Sequence, residues 1–400
     1  MKKFLRLMMM VTLVVSFIGF VSCEKSDDGD KDSVLKGNEL SGSLSGALTL
    51  DASVEYKLTG PVLIEDGGVL NIPAGTVIKA EKGFNKYILV LQGGKIFIKG
   101  TAEKPVVMKG DDDNAKAGHW GGLVINGKAP LTSPDEKGST EINSDYTYGG
   151  NVPNDNSGEI SYLILGHTGA RSTADIEHNG LTLNGVGSGT KISNIYVYEG
   201  ADDAVEFFGG TVNVSNFLAV NPDDDMFDFT QGYTGTLKNC YGIWEKGYVS
   251  SEDDPRGVEA DGNLDGKFGA NPNQSNINIE NMTIDLRLDA VTGDELTREK
   301  APYKYMHDVI KLRRGSNATI KNALVKGTGT VKDLIDVSDG KGNGDTAAKI
   351  SLTNALSTPI FGKPVNTNEK TTPADYPGVK VEDGNTGCPT DIFSWTGYKF

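Results

Sequence analysis

Glu206, Asp228, Glu259, Lys311 and Asp336 each lie between two apolar residues, in the pairs Val205/Phe207, Phe227/Phe229, Val258/Ala260, Ile310/Leu312 and Ile335/Val337. Successive side chains of a strand point to opposite faces, so if the apolar partners fill a core the five charged residues form one outward stripe. In stacked coils neighbours along that stripe are about 4.8 Å apart. Lys311 offsets Glu259 and Asp336, whereas Glu206, Asp228 and Glu259 follow one another with no base between them. Like charges at this spacing raise at least one pKa or attract a cation. Two residues farther along come Phe208, Thr230, Asp261 and Arg313, and then Arg314. The stripe offers acid and base groups in Glu206, Asp228, Lys311 and Arg313. It also offers a ligand surface in Glu206, Asp228, Glu259 and Arg314, with Tyr196, Tyr198, Phe208, Trp244 and Tyr248 able to stack on sugar rings. The bland alternative is a solvated charged face.

Asp261-Gly262-Asn263-Leu264-Asp265-Gly266 fits the first half of a calcium loop, in which alternate oxygen side chains and a glycine turn wrap a hard cation. Position twelve is Pro272, not a bidentate glutamate, so an EF-hand is excluded. Asp261, Asn263 and Asp265 remain candidate Ca²⁺ ligands in a looser site.

The elements that position these groups are set by internal repetition. An apolar residue, a polar one, an asparagine and a further apolar stretch recur at Asn194, Asn216, Asn239, Asn281, Asn322 and Asn354, spaced 22, 23, 42, 41 and 32 residues apart. A period near 22 with short strands and glycine-rich corners describes one coil of a parallel β-helix, and the longer intervals are coils with inserted loops. Stacked asparagines at a corner can hydrogen-bond to the copies above and below, which is a structural role. A second ladder begins at Asp203, Asp225, Asp308 and Asp333. The expected organisation is a signal segment at 1–22, an anchor and acidic tether at 23–44, an all-β parallel β-helix at 45–360 and a tail at 361–400. Phe393, Trp395, Tyr398 and Phe400 are expected to cap the open edge of the last coil.

The chain has 39 Lys and Arg against 54 Asp and Glu, a net charge of −15, which disfavours nucleic acid as a partner. Three cysteines and four histidines give no CxxC or HExxH spacing, so transition-metal chemistry is unsupported. His167, His178 and His307 have no visible serine or cysteine relay and read as structural. Lys2, Lys3 and Arg6 precede an uncharged apolar run from Leu7 to Val21, built as a secretory signal peptide. Val21-Ser22-Cys23 resembles the lipobox of bacterial lipoproteins, which makes Cys23 the lipidated anchor. The charged tract from Glu24 to Asp32 resembles the export signal that places lipoproteins of Bacteroidetes-type bacteria on the cell surface.

His119-Trp120-Gly121-Gly122-Leu123-Val124-Ile125-Asn126-Gly127, the stretch from Asn179 to Thr190, and Phe207-Phe208-Gly209-Gly210-Thr211-Val212 resemble a family of β-helical outer-membrane lipoproteins from Bacteroidetes. The resemblance implies a right-handed, pectate-lyase-like β-helix at the cell surface and brings no established reaction. Surface lipoproteins of this kind often sit beside TonB-dependent transporters, so capture of a glycan or other nutrient is the leading expectation. The alternatives are a polysaccharide lyase, with calcium and a base from Lys311 or Arg313, a hydrolase using Glu206 and Asp228, and a structural or adhesive surface protein. Gly166-His167-Thr168-Gly169 precedes Asp202-Asp203, the reverse of the order in β-helical polygalacturonases, so that likeness is chance.

Overall fold

Successive apolar runs of a coil lie on different walls, so most find their parallel partner one coil away. The computed structural model describes residues 34–133, 135, 137–173 and 176–400. The signal segment, Cys23 and the charged tract from Glu24 to Asp32 lie outside them. Each coil contributes strands to three walls, and the strands of a wall pair in parallel with the coils before and after. The pairing begins with Glu39↔Lys57, ahead of the expected start at 45, and ends with Leu352↔Val381, beyond the expected end at 360.

One apolar interior is shared by all three walls. Phe207 and Phe229 stack inside it with ring centroids 4.8 Å apart, and Phe217 and Phe227 meet edge to face at 5.9 Å. Glycine is required where coils touch at a corner. At Gly210, φ is +84° and a Cβ would lie 2.5 Å from the Val186 carbonyl oxygen.

The asparagine ladder marks the corner between the first and second walls. Asn194, Asn216, Asn239, Asn281 and Asn322 all take left-handed backbone angles, with φ between 54° and 58°. Each Nδ2 donates to the Oδ1 of the asparagine one coil earlier: Asn216 to Asn194 at 2.9 Å, Asn239 to Asn216 at 2.9 Å, Asn281 to Asn239 at 2.8 Å and Asn322 to Asn281 at 2.9 Å. Asn354 is not the sixth member. The register shifts between Ile320 and Ala323, where the last coil lacks the corner residue, and Asn354 pairs with Val325 instead. Asn322 then accepts from the backbone N–H of Thr386 and Gly387, so the tail closes the ladder. Asn239→Ala removes two hydrogen bonds and places a Cβ-bearing residue without a local partner at φ 56°. We expect a loss of about 2–4 kcal/mol in urea unfolding, and a smaller one for Asn239→Gly, which keeps the backbone angle without strain.

The C-terminal aromatics do not cap the last coil. They run back along the outside of the second wall, where Leu218, Val220, Tyr241 and Ile243 point outward and need a cover. Phe393 is buried against them, Trp395 meets Tyr162 edge to face, and Cys388 N–H donates to Thr283 Oγ1 at 2.9 Å. Cys240 and Cys388 are free thiols.

Candidate functional site

The third wall carries the charged stripe in the register that alternation requires. Glu206 pairs with Asp228, Asp228 with Glu259, Glu259 with Lys311 and Lys311 with Asp336. Three residues upstream on the same strands runs the second ladder, in which the Asp225 N–H donates to Asp203 Oδ1 at 2.9 Å and Arg256 pairs with Asp308 and Asp308 with Asp333. The stripe is not a solvated face. Glu206, Glu259, Lys311 and Asp336 are all below a tenth exposed, and Asp228 is half-buried.

Arg256 is the base that the sequence reading missed. Its guanidinium reaches Glu259, Asp254 and, at 3.3 Å, Asp308, so Glu259 does have a cation beside it. Arg313 also binds Glu259 and Asp261, and Lys311 Nζ lies 2.8 Å from Asp336. The uncompensated part of the stripe therefore retreats toward Glu206, Asp228 and the aspartates beside them. Burial, followed by the charges of Glu141 and Asp228, holds Glu206 well above the usual carboxylate range. Burial and neighbouring carboxylates do the same for Asp202, Asp203 and Asp225. Burial and Asp254 push Asp224 up to about 8 despite Arg256. Asp228 is also raised by burial, with Arg313 opposing. Burial drives Arg313 itself down to about 10, helped by Arg256 and Arg314.

Three carboxylate groups interlock here: Asp202, Asp203 and Asp224; Asp203, Glu206 and Asp228; and Asp225, Asp228 and Glu259. Within each group, one ligand oxygen per residue lies within 4.8 Å of the others. Asp203 and Asp228 each belong to two of them. Oδ1 of Asp225, a residue only 3% exposed, and Oδ1 of Asp228 are both shielded from solvent and accept no hydrogen bond. Oxygens up to about 5 Å apart can share one calcium at about 2.4 Å from each, so the donor set fits a hard divalent ion.

The Asp261 loop uses its side chains differently. The Asp261 carboxylate is engaged by Arg313 and Arg314, Asn263 bonds to Phe268 N–H and the Arg314 carbonyl, and Asp265 turns to Lys341. They do not converge on a common point, and Arg314 serves the loop instead of a ligand. Trp244 is also corrected. It is fully buried in the core with Nε1–H donating to the Pro222 carbonyl at 3.0 Å, so no sugar can stack on it. Burial lowers His167, His178 and His307 to about 4, which keeps all three neutral.

Beside the stripe a pocket of 300 Å³ opens between the hairpin of Gly138–Thr140 and Asn143–Tyr148 and the turn at Leu264–Gly266. Tyr148, Phe208, Gln231 and Phe268 line it together with Glu141 and Lys137. Tyr148 Oη bonds to Gln231 Oε1 at 3.2 Å, fixing the ring. Of these residues only Phe208 is among those the sequence singles out; Glu141, Lys137, Tyr148 and Phe268 sit on insertions that the coil period does not place, and Gln231 directly follows an ordinary coil strand.

Three parallel walls around one core, with a charged stripe on the third, define a pectate-lyase-like β-helix. The chain belongs to the family of the pectate-lyase-like beta helix domain, whose match spans residues 42–398. No protein of curated function matches it. Among solved structures it is similar to the enzymatically active domain of tailspike protein 2 from bacteriophage CBA120, at 9% identity and a TM-score of 0.29, over 78% of this chain and 47% of that one. The chain thus spans about half the length of the tailspike domain.

Proposed function

We propose that the protein captures a glycan at the third wall, with a divalent cation of the calcium type held by Asp203, Glu206, Asp225 and Asp228. The observation that carries this reading is the set of interlocking carboxylate groups in which Asp225 Oδ1 and Asp228 Oδ1 have no hydrogen-bond partner. A bound cation supplies positive charge for an acidic sugar. Tyr148, Phe208 and Phe268 supply apolar surface for its ring, and Gln231 supplies a polar contact. Lipidation of Cys23, outer-membrane anchoring at the cell surface and a neighbouring TonB-dependent transporter belong to the same proposal.

The test is a thermal melt of the domain from residue 34 onward with calcium and with chelator. A ligand that binds only the native state at one hundred times its Kd adds about 2.7 kcal/mol. Asp225→Asn and Asp228→Asn should abolish the calcium shift, whereas Asp265→Ala should leave it intact. A shift that survives both column variants would disprove the assignment. Retention on acidic polysaccharide that requires calcium then tests the capture itself.

A second reading, cleavage of the glycan, is favoured by one observation: Glu206 and Asp228 face each other across adjacent coils with carboxylate oxygens within 4.8 Å. An acid and its partner carboxylate are the ingredients of hydrolysis. New reducing ends would identify a hydrolase and an ultraviolet-absorbing unsaturated product a lyase, while retention without either product identifies a binder.

A further inference from the structure

Gln231 directly follows the third-wall strand Phe227–Thr230 and takes a left-handed backbone angle, φ 53°. Asn184 pairs with Phe208 and Phe208 with Thr230, so the residues in register with Gln231 on the two preceding coils are Gly185, at φ 55°, and Gly209, at φ 67°. Glycine turns this corner without strain, whereas a residue with a Cβ is strained there. Strain of this kind clusters at ligand sites, where the side chain has a use.

The local structure holds Gln231 in place. Thr132 N–H donates to its backbone carbonyl at 2.9 Å, and the next residue, Gly232, donates its N–H to Ser275 Oγ at 2.9 Å. Gln231 is only 5% exposed, and its Oε1 accepts from Tyr148 Oη at 3.2 Å. With Oε1 occupied, Nε2 remains. It has no hydrogen-bond partner among the described residues, yet it is not among the atoms shielded from solvent. It is therefore a fixed, reachable donor in the 300 Å³ pocket that Gln231 lines. That volume suits a single sugar unit.

The rest of the lining says what must accept from that donor. Tyr148 and Phe208, with ring centroids 6.1 Å apart, are joined by Phe268 and by Leu264, which stays 39% exposed. Asp135 and Glu141 bring two carboxylates and Lys137 a single cation, so an anionic guest meets more like charge than opposite charge. The acceptor must then be neutral and must carry an apolar group for the aromatic surface, and an N–H beside it would suit the carboxylates. A sugar hydroxyl has no such apolar group, whereas an acetamide has all three parts. We infer that this pocket takes the N-acetyl group of an acetamido sugar, with the carbonyl accepting from Gln231 Nε2, the methyl against Phe208 and Phe268 and the N–H toward the carboxylates. The inference rests on the reading of this pocket as part of the glycan surface, and it narrows that glycan to one containing 2-acetamido units.

Saturation-transfer NMR on the protein in chelator tests it, with the methyl β-glycosides of N-acetylglucosamine, N-acetylgalactosamine, glucose and galactose as probes. At least one acetamido sugar should bind, with the strongest transfer at its acetyl methyl, and its unacetylated counterpart should bind at least about tenfold more weakly. Gln231→Gly, which places at this corner the residue of the two preceding coils and so keeps the fold, should weaken binding at least about tenfold. Phe268→Ala, in an inserted loop, should weaken it as well. The inference is overturned by no transfer to either acetamido sugar, by equal binding of the acetylated and unacetylated sugars, by binding that survives Gln231→Gly, or by a stronger response to glucuronate than to both acetamido sugars. Because the measurement is made without calcium, its result is independent of the calcium melt, and a failure of the cation site is distinguished from a failure of this pocket.

Discussion

Arg256→Met is expected to cost about 3–5 kcal/mol of unfolding free energy, because removing one partner of a buried ion cluster leaves its counter-charges stranded. Arg256 is 5% exposed, and its guanidinium serves Asp254, Glu259 and Asp308 at once. Asp224 and Asp225 also depend on its field. Methionine matches the length of the stem but strips Asp254 and Asp308 of their direct cation and leaves Glu259 with Arg313 alone. The loss should shrink as the pH is lowered from about 8.5 to about 6.5, since raised carboxyls such as Asp224 can then take up protons in place of the missing charge. Arg256→Lys keeps the charge but not the multiple contacts, so its loss should be smaller. Urea unfolding of both variants at the two pH values checks the argument. A methionine variant as stable as the parent would mean that the carboxylates do not rely on Arg256.

Much of this arrangement was legible in the sequence, for a physical reason. A strand alternates with period two and a coil repeats near 22 residues, so Phe207, Phe229 and the stripe residues between their neighbours could be placed without coordinates. The Asn194 to Asn322 ladder was legible because one residue type solves one corner in every coil. Reading failed where the period is interrupted. Asn354 fell out of register because its coil is short by one corner residue. Arg256 follows the insertion of residues 245–255, so its place in the second ladder cannot be counted from its neighbours. The Asp261 loop has the composition of a calcium site, but Arg313 and Arg314 reach it from the next coil, where composition alone cannot see them. The hairpin ending at Tyr148 is built from an insertion, whose landing site is set by tertiary packing.

In chelator, the protein should lose stability as the pH rises from about 7 to about 8.5, and calcium should restore it. The direction follows from the protons. Asp224 titrates at about 8 in the folded chain against an ordinary value of 3.8, and Asp202, Asp203, Glu206 and Asp225 are also raised well above the ordinary range. Groups raised on folding give stability that is complete below their unfolded pKa and is lost as the pH passes the folded one. Asp224 alone then contributes a loss on the order of 1 kcal/mol across this window. The window is chosen to isolate the carboxyls. His167, His178 and His307, lowered to about 4, act with the opposite sign, since their contribution is lost only as the pH falls below about 6.5. Calcium takes the place of the protons, so its binding releases them and its stabilising effect should be larger at about pH 8.5 than at about pH 7. Urea unfolding with chelator and with calcium at both pH values measures the coupling. Equal stability in chelator at the two values would mean that the carboxyls are ionised and hydrated at neutral pH. A calcium effect independent of pH would place the ion away from them.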